Sequence, residues 1–262
     1  MHAPSEPPLL HLEEVASSND ELMALAAAGA VTGTALSVRR QSAGRGRRGR
    51  DWQTLPGRHV LVSVLHRSRL QASQLSGLTL DIGVAVAAVV DVLGLHATLK
   101  WPNDIQLDGK KVGGILCELV DTQTGPSVIV GLGLNVQAVV LPPELAQATT
   151  LGASLPDDVE LDLETLTIDL VRAIRRACSA YDDRAAPDIG AWQARSVSLG
   201  RRVRQVLADP AAFSPGSAIL AAVREGRVTG VAADGALLVH WDGDAAPERF
   251  VAGELEHLVE PG

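Results

Sequence analysis

Apolar residues recur along this chain in two rhythms, and the change from one to the other marks its elements. Residues 59–66 (H-V-L-V-S-V-L-H) alternate at period two and are rich in β-branched side chains, which predicts a strand. Leu75, Leu78, Ile82, Val86, Val89 and Leu93 fall at three- and four-residue steps, which predicts a core-facing helix ended by Gly94. The same stepping through Leu163, Leu166, Leu170, Ile174, Cys178 and Tyr181 predicts a long amphipathic helix, with a second near 188–196. Further strands are expected at 11–15, 33–39, 97–101, 105–107, 112–120 and 127–136. Pro102 breaks the 97–101 run, and Asp108-Gly109 supplies a hairpin turn. Ser18 and Glu21 fit a capping box, so a helix is expected over 19–28, stopped by Gly29. The Ser17 and Ser18 hydroxyls and the Asn19 amide at such a helix start also suit a small polar ligand.

From Leu199 the texture changes. Short β-like runs at 202–207, 227–232, 236–241 and 249–252 are separated by Gly, Asp and Pro turns, of which Asp234-Gly235 is the clearest. They predict a small barrel, with 209–217 as a long loop or insertion. Hairpins outnumber regular βαβ units, so the fold class is α+β rather than a Rossmann sheet. The expected domains are 1–197 and a C-terminal β domain over 198–262.

One stretch fits neither rhythm. Residues 41–52 read Q-S-A-G-R-G-R-R-G-R-D-W, with four arginines and three glycines between Gly44 and Arg50 and no apolar residue among them. Guanidinium groups cannot be buried unpaired, so this run cannot be core. Its glycines allow close backbone approach and its arginines offer forked hydrogen bonds to phosphate or carboxylate. A loop that is mobile when empty and closes over an anion is expected. The bland alternative is a solvated linker or an arginine–glycine RNA-binding segment.

Composition narrows the choice. With 262 residues, 46% hydrophobic and 21% charged, the chain can bury a sizeable core. A net charge of −8 argues against a general nucleic-acid binder, which makes the basic loop a local exception. The apolar run near 82–90 is too short to span a bilayer, and no secretory signal is visible. Cys117 and Cys178 are the two cysteines, far apart and in no C-x-x-C pattern, so a reduced cytoplasmic protein without disulfides is expected. The seven histidines show no metal-ligand spacing.

A second constellation surrounds Lys100-Trp101-Pro102-Asn103-Asp104, where a strand delivers one ammonium to its tip. That residue is either a solvated strand end or a fixed charge on an anion. Lys111 precedes Val112-Gly113-Gly114, and Gly131-Leu132-Gly133-Leu134-Asn135 repeats the glycine device on the next strand. Strands relieved of side chains, two lysines and an arginine loop together describe a pocket. It suits a flat apolar ligand carrying an acid group, beside a phosphate-bearing one.

G-R-G-R-R-G-R followed by W, then K-W-P-N-D, K-V-G-G-I-L-C-E and G-L-G-L-N, resembles the biotin protein ligases. Ser17-Ser18-Asn19 and the small C-terminal β domain extend the likeness over nearly the whole chain. The resemblance implies a ligase/lipoate-transferase α+β domain plus an SH3-like barrel, and ATP, biotin and Mg²⁺ as reactants. It implies that the biotin carboxylate attacks the α-phosphate of ATP, giving biotinyl-5′-AMP and pyrophosphate. A lysine of a biotin carboxyl carrier domain of a biotin-dependent carboxylase, of the acetyl-CoA carboxylase type, then takes the biotin and releases AMP. It assigns Ser17, Ser18, Asn19, Gln41, Gly44, Arg45, Lys100, Gly113, Gly114 and Gly133 to biotin. Arg47, Arg48, Arg50, Trp52, Asn103, Lys111 and Asn135 go to ATP or the adenylate. Lys100, Arg47 and Arg45 act on the reacting anions, and no protein-bound metal is expected. These roles fit the chemistry: cations must bring two anions together, and a closed loop keeps water from the mixed anhydride.

Two departures from the family pattern stand out. Arg39 and Arg40 occupy the positions two and one before Gln41, where an acidic residue is frequent, which adds charge near the expected pocket mouth. Only 16 residues precede Ser17, too few for a winged helix, so a ligase that is not a DNA-binding repressor is expected. Lipoate or octanoate ligases share the fold but not both the Arg/Gly loop and K-W-P-N-D. Dimerisation stays open, because a strand edge that docks an acceptor can also pair with a second copy.

Overall fold

The computed structural model describes residues 6–52, 59–122, 125–137, 145–207, 222–251, 253 and 255–258. β1 (Leu9–Val15), β2 (Ala35–Gln41), β3 (His59–Arg67), β4 (Thr98–Lys100), β5 (Asp104–Leu107), β6 (Lys110–Thr122) and β7 (Gly125–Asn135) form one sheet. Its order is β1-β2-β3-β7-β6-β5-β4. Only β1 and β2 among these run parallel, joined through α1 (Ser18–Ala27); the other pairs are antiparallel. Asp108 (φ 49°) and Gly109 (φ 75°) make the tight β5–β6 turn with two left-handed residues, as that dipeptide predicts.

Period-two alternation sorts the side chains of this sheet onto two faces. Val60, Val62, Val64, Val128, Val130 and Leu132 are buried under α2 (Leu78–Val92) and α3 (Leu163–Arg184). Leu61, Leu65 and Ile129 point the other way, where Leu22 and Ala26 of α1 cover them with Leu36 and Val38. Burying each such aliphatic side chain stabilises the fold by about 1.5–3 kcal/mol. Ser63 falls in the α1 row between Leu61 and Leu65 and is fully buried, a polar position on an apolar face.

The C-terminal part is a five-stranded antiparallel sheet, ordered β11-β10-β9-β8-β12. Its strands are β8 (Arg202–Leu207), β9 (Ala222–Val231), β10 (Leu237–Trp241), β11 (Glu248–Phe250) and β12 (Glu256–His257). The fold is therefore α+β with a small C-terminal β unit. The small sheet docks onto the large one at Trp101, whose indole N–H donates to the Gly235 carbonyl (3.0 Å) and whose ring meets Phe250 at 5.6 Å between centroids. Gly235 has φ 88°, and a Cβ there would lie 2.9 Å from Gly77 Cα, so only glycine lets this turn approach α2.

The departures from expectation are local. The cap of α1 is Ser17, whose hydroxyl accepts from the Asp20 N–H (3.5 Å), so the Ser18–Glu21 capping box does not form. Ser18 is drawn inward because its own N–H and hydroxyl both reach Gln41, which moves the helix start back one residue. α2 starts at Leu78, with Leu75 closing a short 3-10 turn before it, and α4 is limited to Ile189–Gln193. β12 carries one acidic residue and one histidine and leaves no hydrophobic rhythm to read. The 209–217 segment lies outside the described residues.

Candidate active site

The helix start, the sheet and the arginine loop converge on one cavity of about 180 Å³. Its floor is a chain of polar groups. Ser18 donates its N–H (2.7 Å) and its hydroxyl (3.0 Å) to Gln41 Oε1. Ser63 Oγ lies 2.8 Å from Ser18 Oγ and 2.5 Å from Asn19 Oδ1. Asn19 Nδ2 donates to Glu118 Oε2 (2.7 Å). With Gln41 Oε1 engaged, its amide N–H groups remain as donors, on the side facing Gly44. The floor therefore presents donors from Gln41 next to the acceptor Asn19 Oδ1, held by a buried hydroxyl. Gly131 makes room for this arrangement, since a Cβ there would sit 2.5 Å from Asn19 Oδ1.

The roof is the arginine loop, which forms a small hairpin. Arg45 bridges to Asp51, Gly46 N–H donates to Arg50 O (2.7 Å) and Trp52 N–H donates to Gly44 O (2.8 Å). Its turn uses two left-handed residues, Arg48 (φ 59°) and Gly49 (φ 71°), and a non-glycine residue there costs about 1–2 kcal/mol. Arg45 ties the roof down, with Nη2 at 2.5 Å from Asp20 and 3.3 Å from Glu118. Gly44 is required, because a Cβ would stand 2.8 Å from Trp52 O.

Arg47 and Asn103 border three cavities at once: the polar floor, a second of about 220 Å³ and a third of about 610 Å³. The second is walled by Leu80, Trp101, Ile115 and Cys117 on its apolar side and by Arg47, Ser76, Asn103 and Asp234 on its polar side. Burial pushes the Cys117 thiol up to about 11, which leaves it protonated and without nucleophilic character at neutral pH. The third gathers Arg47, Arg48, Arg50 and Lys100 against Arg204 and Glu256 of the small sheet. Burial, with Lys100 and Arg201 adding repulsion, pushes His257 down to about 4, so it is neutral beside these cations. An apolar groove of about 810 Å³ between α2 and α3 is larger, but it lies away from the arginine loop and the lysines.

Most of the residues singled out from the sequence meet here, with exceptions. Gly113 faces the α2 side of the sheet, where a Cβ would meet Gly133 O and Leu134 at 2.9 Å; adjacent strand residues point oppositely, so it cannot share the floor with Gly114. The room left by Gly133 is taken by Trp52, whose ring carbons lie 2.5 Å from where a Cβ would stand. Lys100 borders the 610 Å³ cavity and not the polar floor. Asn135 sits beyond the floor and donates to Thr149 O (3.0 Å). Lys111 is paired with Asp104 (2.6 Å) and lies 5.9 Å from the Trp52 ring. Asn103 donates to Ile115 O (2.8 Å), which anchors the K-W-P-N-D turn to β6. Arg39 and Arg40 do not add charge at the pocket mouth: they pair with Glu13 and Glu14 across the parallel β1–β2 edge. Sequence reasoning gave Ser63 and Glu118 no role, and named Gly131 in the glycine device without assigning it to a ligand. Ser63 interrupts an apolar alternation, and Gly131 and Glu118 share the face of Gly133 and Gly114 by even spacing, which is the signal that finds them.

Residues 18–135 match the model of the Biotin/lipoate A/B protein ligase family, which sets the class of the fold and of the site within it. The biotin–[acetyl-CoA-carboxylase] ligase of Mycobacterium tuberculosis is 34% identical, with 73% of this chain and 71% of that protein aligned. The bifunctional ligase/repressor BirA of Escherichia coli is 29% identical over 86% of this chain, and the alignment spans 66% of that longer protein. A solved structure of a biotin protein ligase from Aquifex aeolicus, in complex with biotin and ATP, superposes with a TM-score of 0.74. It is 26% identical, over 95% of this chain and 97% of that one. This chain belongs to the biotin protein ligase family.

Proposed function

We propose that the protein is an ATP-dependent biotin–[biotin carboxyl-carrier protein] ligase. The observation that carries this reading is the polar floor. A cyclic urea offers one carbonyl and two N–H groups, and the floor offers Gln41 amide donors next to the Asn19 acceptor. A dithiolane ring has no such groups, so the same floor supports biotin over lipoate. The cavities that meet at Arg47 support sites for the remaining parts of the reactants. The one with Leu80, Trp101 and Ile115 beside polar edges from Ser76 and Asn103 suits a nucleobase, and the one holding Arg48, Arg50 and Lys100 suits polyphosphate.

In the first step a biotin carboxylate oxygen attacks the α-phosphorus of ATP, the bond to the β-phosphate bridging oxygen breaks, and pyrophosphate leaves. Lys100 and Arg47 stabilise charge spreading over the phosphoryl oxygens. In the second step a lysine amine of the carrier domain attacks the biotinyl carbonyl, AMP leaves, and an amide forms. The hairpin roof excludes water from the adenylate meanwhile. No cluster of three His, Cys, Asp or Glu exists among the described residues. A Mg²⁺ that rides on the polyphosphate needs only one or two carboxylates, and Asp104 is the one bordering both the floor and the phosphate cavity. Residues 1–197 then act as the catalytic domain and 198–262 as a second domain that walls the phosphate cavity. Among the described residues no helix is long and apolar enough to cross a membrane.

The test is to incubate the protein with ATP, Mg²⁺ and either biotin or lipoate, without an acceptor, and to look for the acyl-adenylate by mass spectrometry. Biotinyl-AMP alone is expected. Lipoyl-AMP alone would move the protein to the neighbouring activity, and neither product from folded protein would sink the ligase reading.

A further inference from the structure

Glu118 belongs to neither set of residues expected to bind the reactants, yet it joins the floor to the roof. A carboxylate is acceptor-only when ionised, so whatever faces it must donate. Asn19 turns its Nδ2 to Glu118 Oε2 at 2.7 Å, with the Leu116 carbonyl a longer second acceptor at 3.4 Å, and that choice fixes the other end of the amide. Oδ1 is left facing Ser63 (2.5 Å) and the space opened by Gly131. Were the amide reversed, its NH₂ would face the cavity and the carbonyl would oppose a carboxylate. The same carboxylate receives Arg45 from the hairpin, at 3.3 Å to Oε1 and 3.5 Å to Oε2. Arg45 also holds Asp20, one residue after Asn19 on α1.

We propose that Glu118 is a positioning residue for ring recognition. It sets the polarity of the Asn19 amide so that an acceptor faces the ligand, and through Arg45 it registers the hairpin over that acceptor. The proposal rests on the ligase reading above. Glu118 touches no reacting atom, so its loss acts on how the ring is held and not on the phosphoryl step. Replacing Glu118 with Gln removes one of the two charges that hold Arg45, leaving Asp20, and allows either end of its amide to face Asn19. Replacing Asn19 with Asp puts two carboxylates face to face. Combining the two changes restores a donor–acceptor pair of reversed polarity while an oxygen still faces the cavity.

The experiment is calorimetric titration of biotin into the wild type, Glu118→Gln, Asn19→Asp and the double variant, with adenylate formation measured at saturating biotin. Glu118→Gln is expected to weaken biotin about tenfold while the saturated rate stays within threefold. Asn19→Asp alone is expected to weaken it thirtyfold or more, and the double variant to return to within fivefold of Glu118→Gln. Recovery in the double variant also shows that Asn19→Asp fails through polarity and not through misfolding. A double variant no better than Asn19→Asp, or a Glu118→Gln that binds like wild type, overturns the role of Glu118 and leaves the ligase reading standing. A folded wild type that binds no biotin overturns both.

Discussion

The indole of Trp52 packs on the backbone of Gly133: a Cβ at Gly133 would stand 2.5 Å from two of its ring carbons. The residue that closes the arginine hairpin thus lies against the strand at the bottom of the site. The remaining cavity of about 180 Å³ is smaller than the roughly 300–1,000 Å³ common for small-ligand pockets. Gly133→Ala is expected to displace the ring, to cost about 1–3 kcal/mol in stability from overpacking, and to weaken biotin binding tenfold or more. Thermal unfolding and biotin titration read the two effects separately. Binding equal to wild type would show that the ring makes way without cost.

Lys100 and the polar floor border different cavities, so their losses are separable. Lys100→Ala is expected to slow pyrophosphate release roughly 10²–10³-fold, the scale for removing one donor from a developing oxyanion. Biotin binding measured without ATP should stay within threefold of wild type. A variant that loses biotin binding as well would place Lys100 at the wrong end of the substrate.

The sequence disclosed the parts of this site that depend on composition and period, and hid those that depend on facing. The arginine hairpin, the lysine at the end of β4 and the glycine-relieved strands were legible because few roles suit such residues. Gly113 and Gly114 looked equivalent in the chain, yet the pleat turns them to opposite faces. Ser63 and Glu118 gained their meaning only when β3 and β6 were laid beside α1, at sequence separations of 44 and 99 from Asn19. Trp101 stood in the sequence as part of the K-W-P-N-D run and turned out to be the seat of the small sheet. The main elements were legible because period alone fixes them, whereas β12 is too short and polar to show one.

Arg45 is 41% exposed in its side chain, and exposed ion pairs contribute at most about 1 kcal/mol. Arg45→Gln should therefore leave the unfolding midpoint almost unchanged. It should, however, release the hairpin from Asp20 and Glu118 and speed amide exchange at Gly46 and Trp52, whose N–H groups close the turn. Hydrogen-exchange mass spectrometry over residues 44–52 tests this. Unchanged exchange would mean that the backbone bonds alone hold the roof.

His257 in the small sheet is pushed down to about 4 by burial and by Lys100 and Arg201, from 6.5 in the unfolded chain. The unfolded state takes up the proton first, so stability from this group is complete above pH 6.5. It is lost as pH falls from 6.5 toward about 4. His59, lowered by burial, acts in the same direction. The midpoint of thermal unfolding should drop less between pH 7 and pH 4.5 in His257→Gln than in wild type. An equal drop in both would remove His257 from the account.

Trp101→Phe keeps the ring against Phe250 and deletes the N–H that satisfies the Gly235 carbonyl. A loss of about 1–3 kcal/mol is expected from the stranded acceptor, read by denaturant unfolding. A loss below 0.5 kcal/mol, by order of magnitude, would mean that solvent reaches that carbonyl.

That single bond also bears on how such chains can diverge. The Asp234-Gly235 turn meets Ser76, Gly77 and Trp101, so the surface joining the two sheets is written in three distant stretches of sequence. A chimaera that carried the C-terminal strands of one relative onto the body of another would inherit only one of the three. Its turn would then meet a body that had not varied with it, beside the Trp101 that also borders the cation-lined cavity, even with every residue of the arginine hairpin in place. Drift in the small sheet is thus bound to drift beside Lys100, and the two parts are expected to change together.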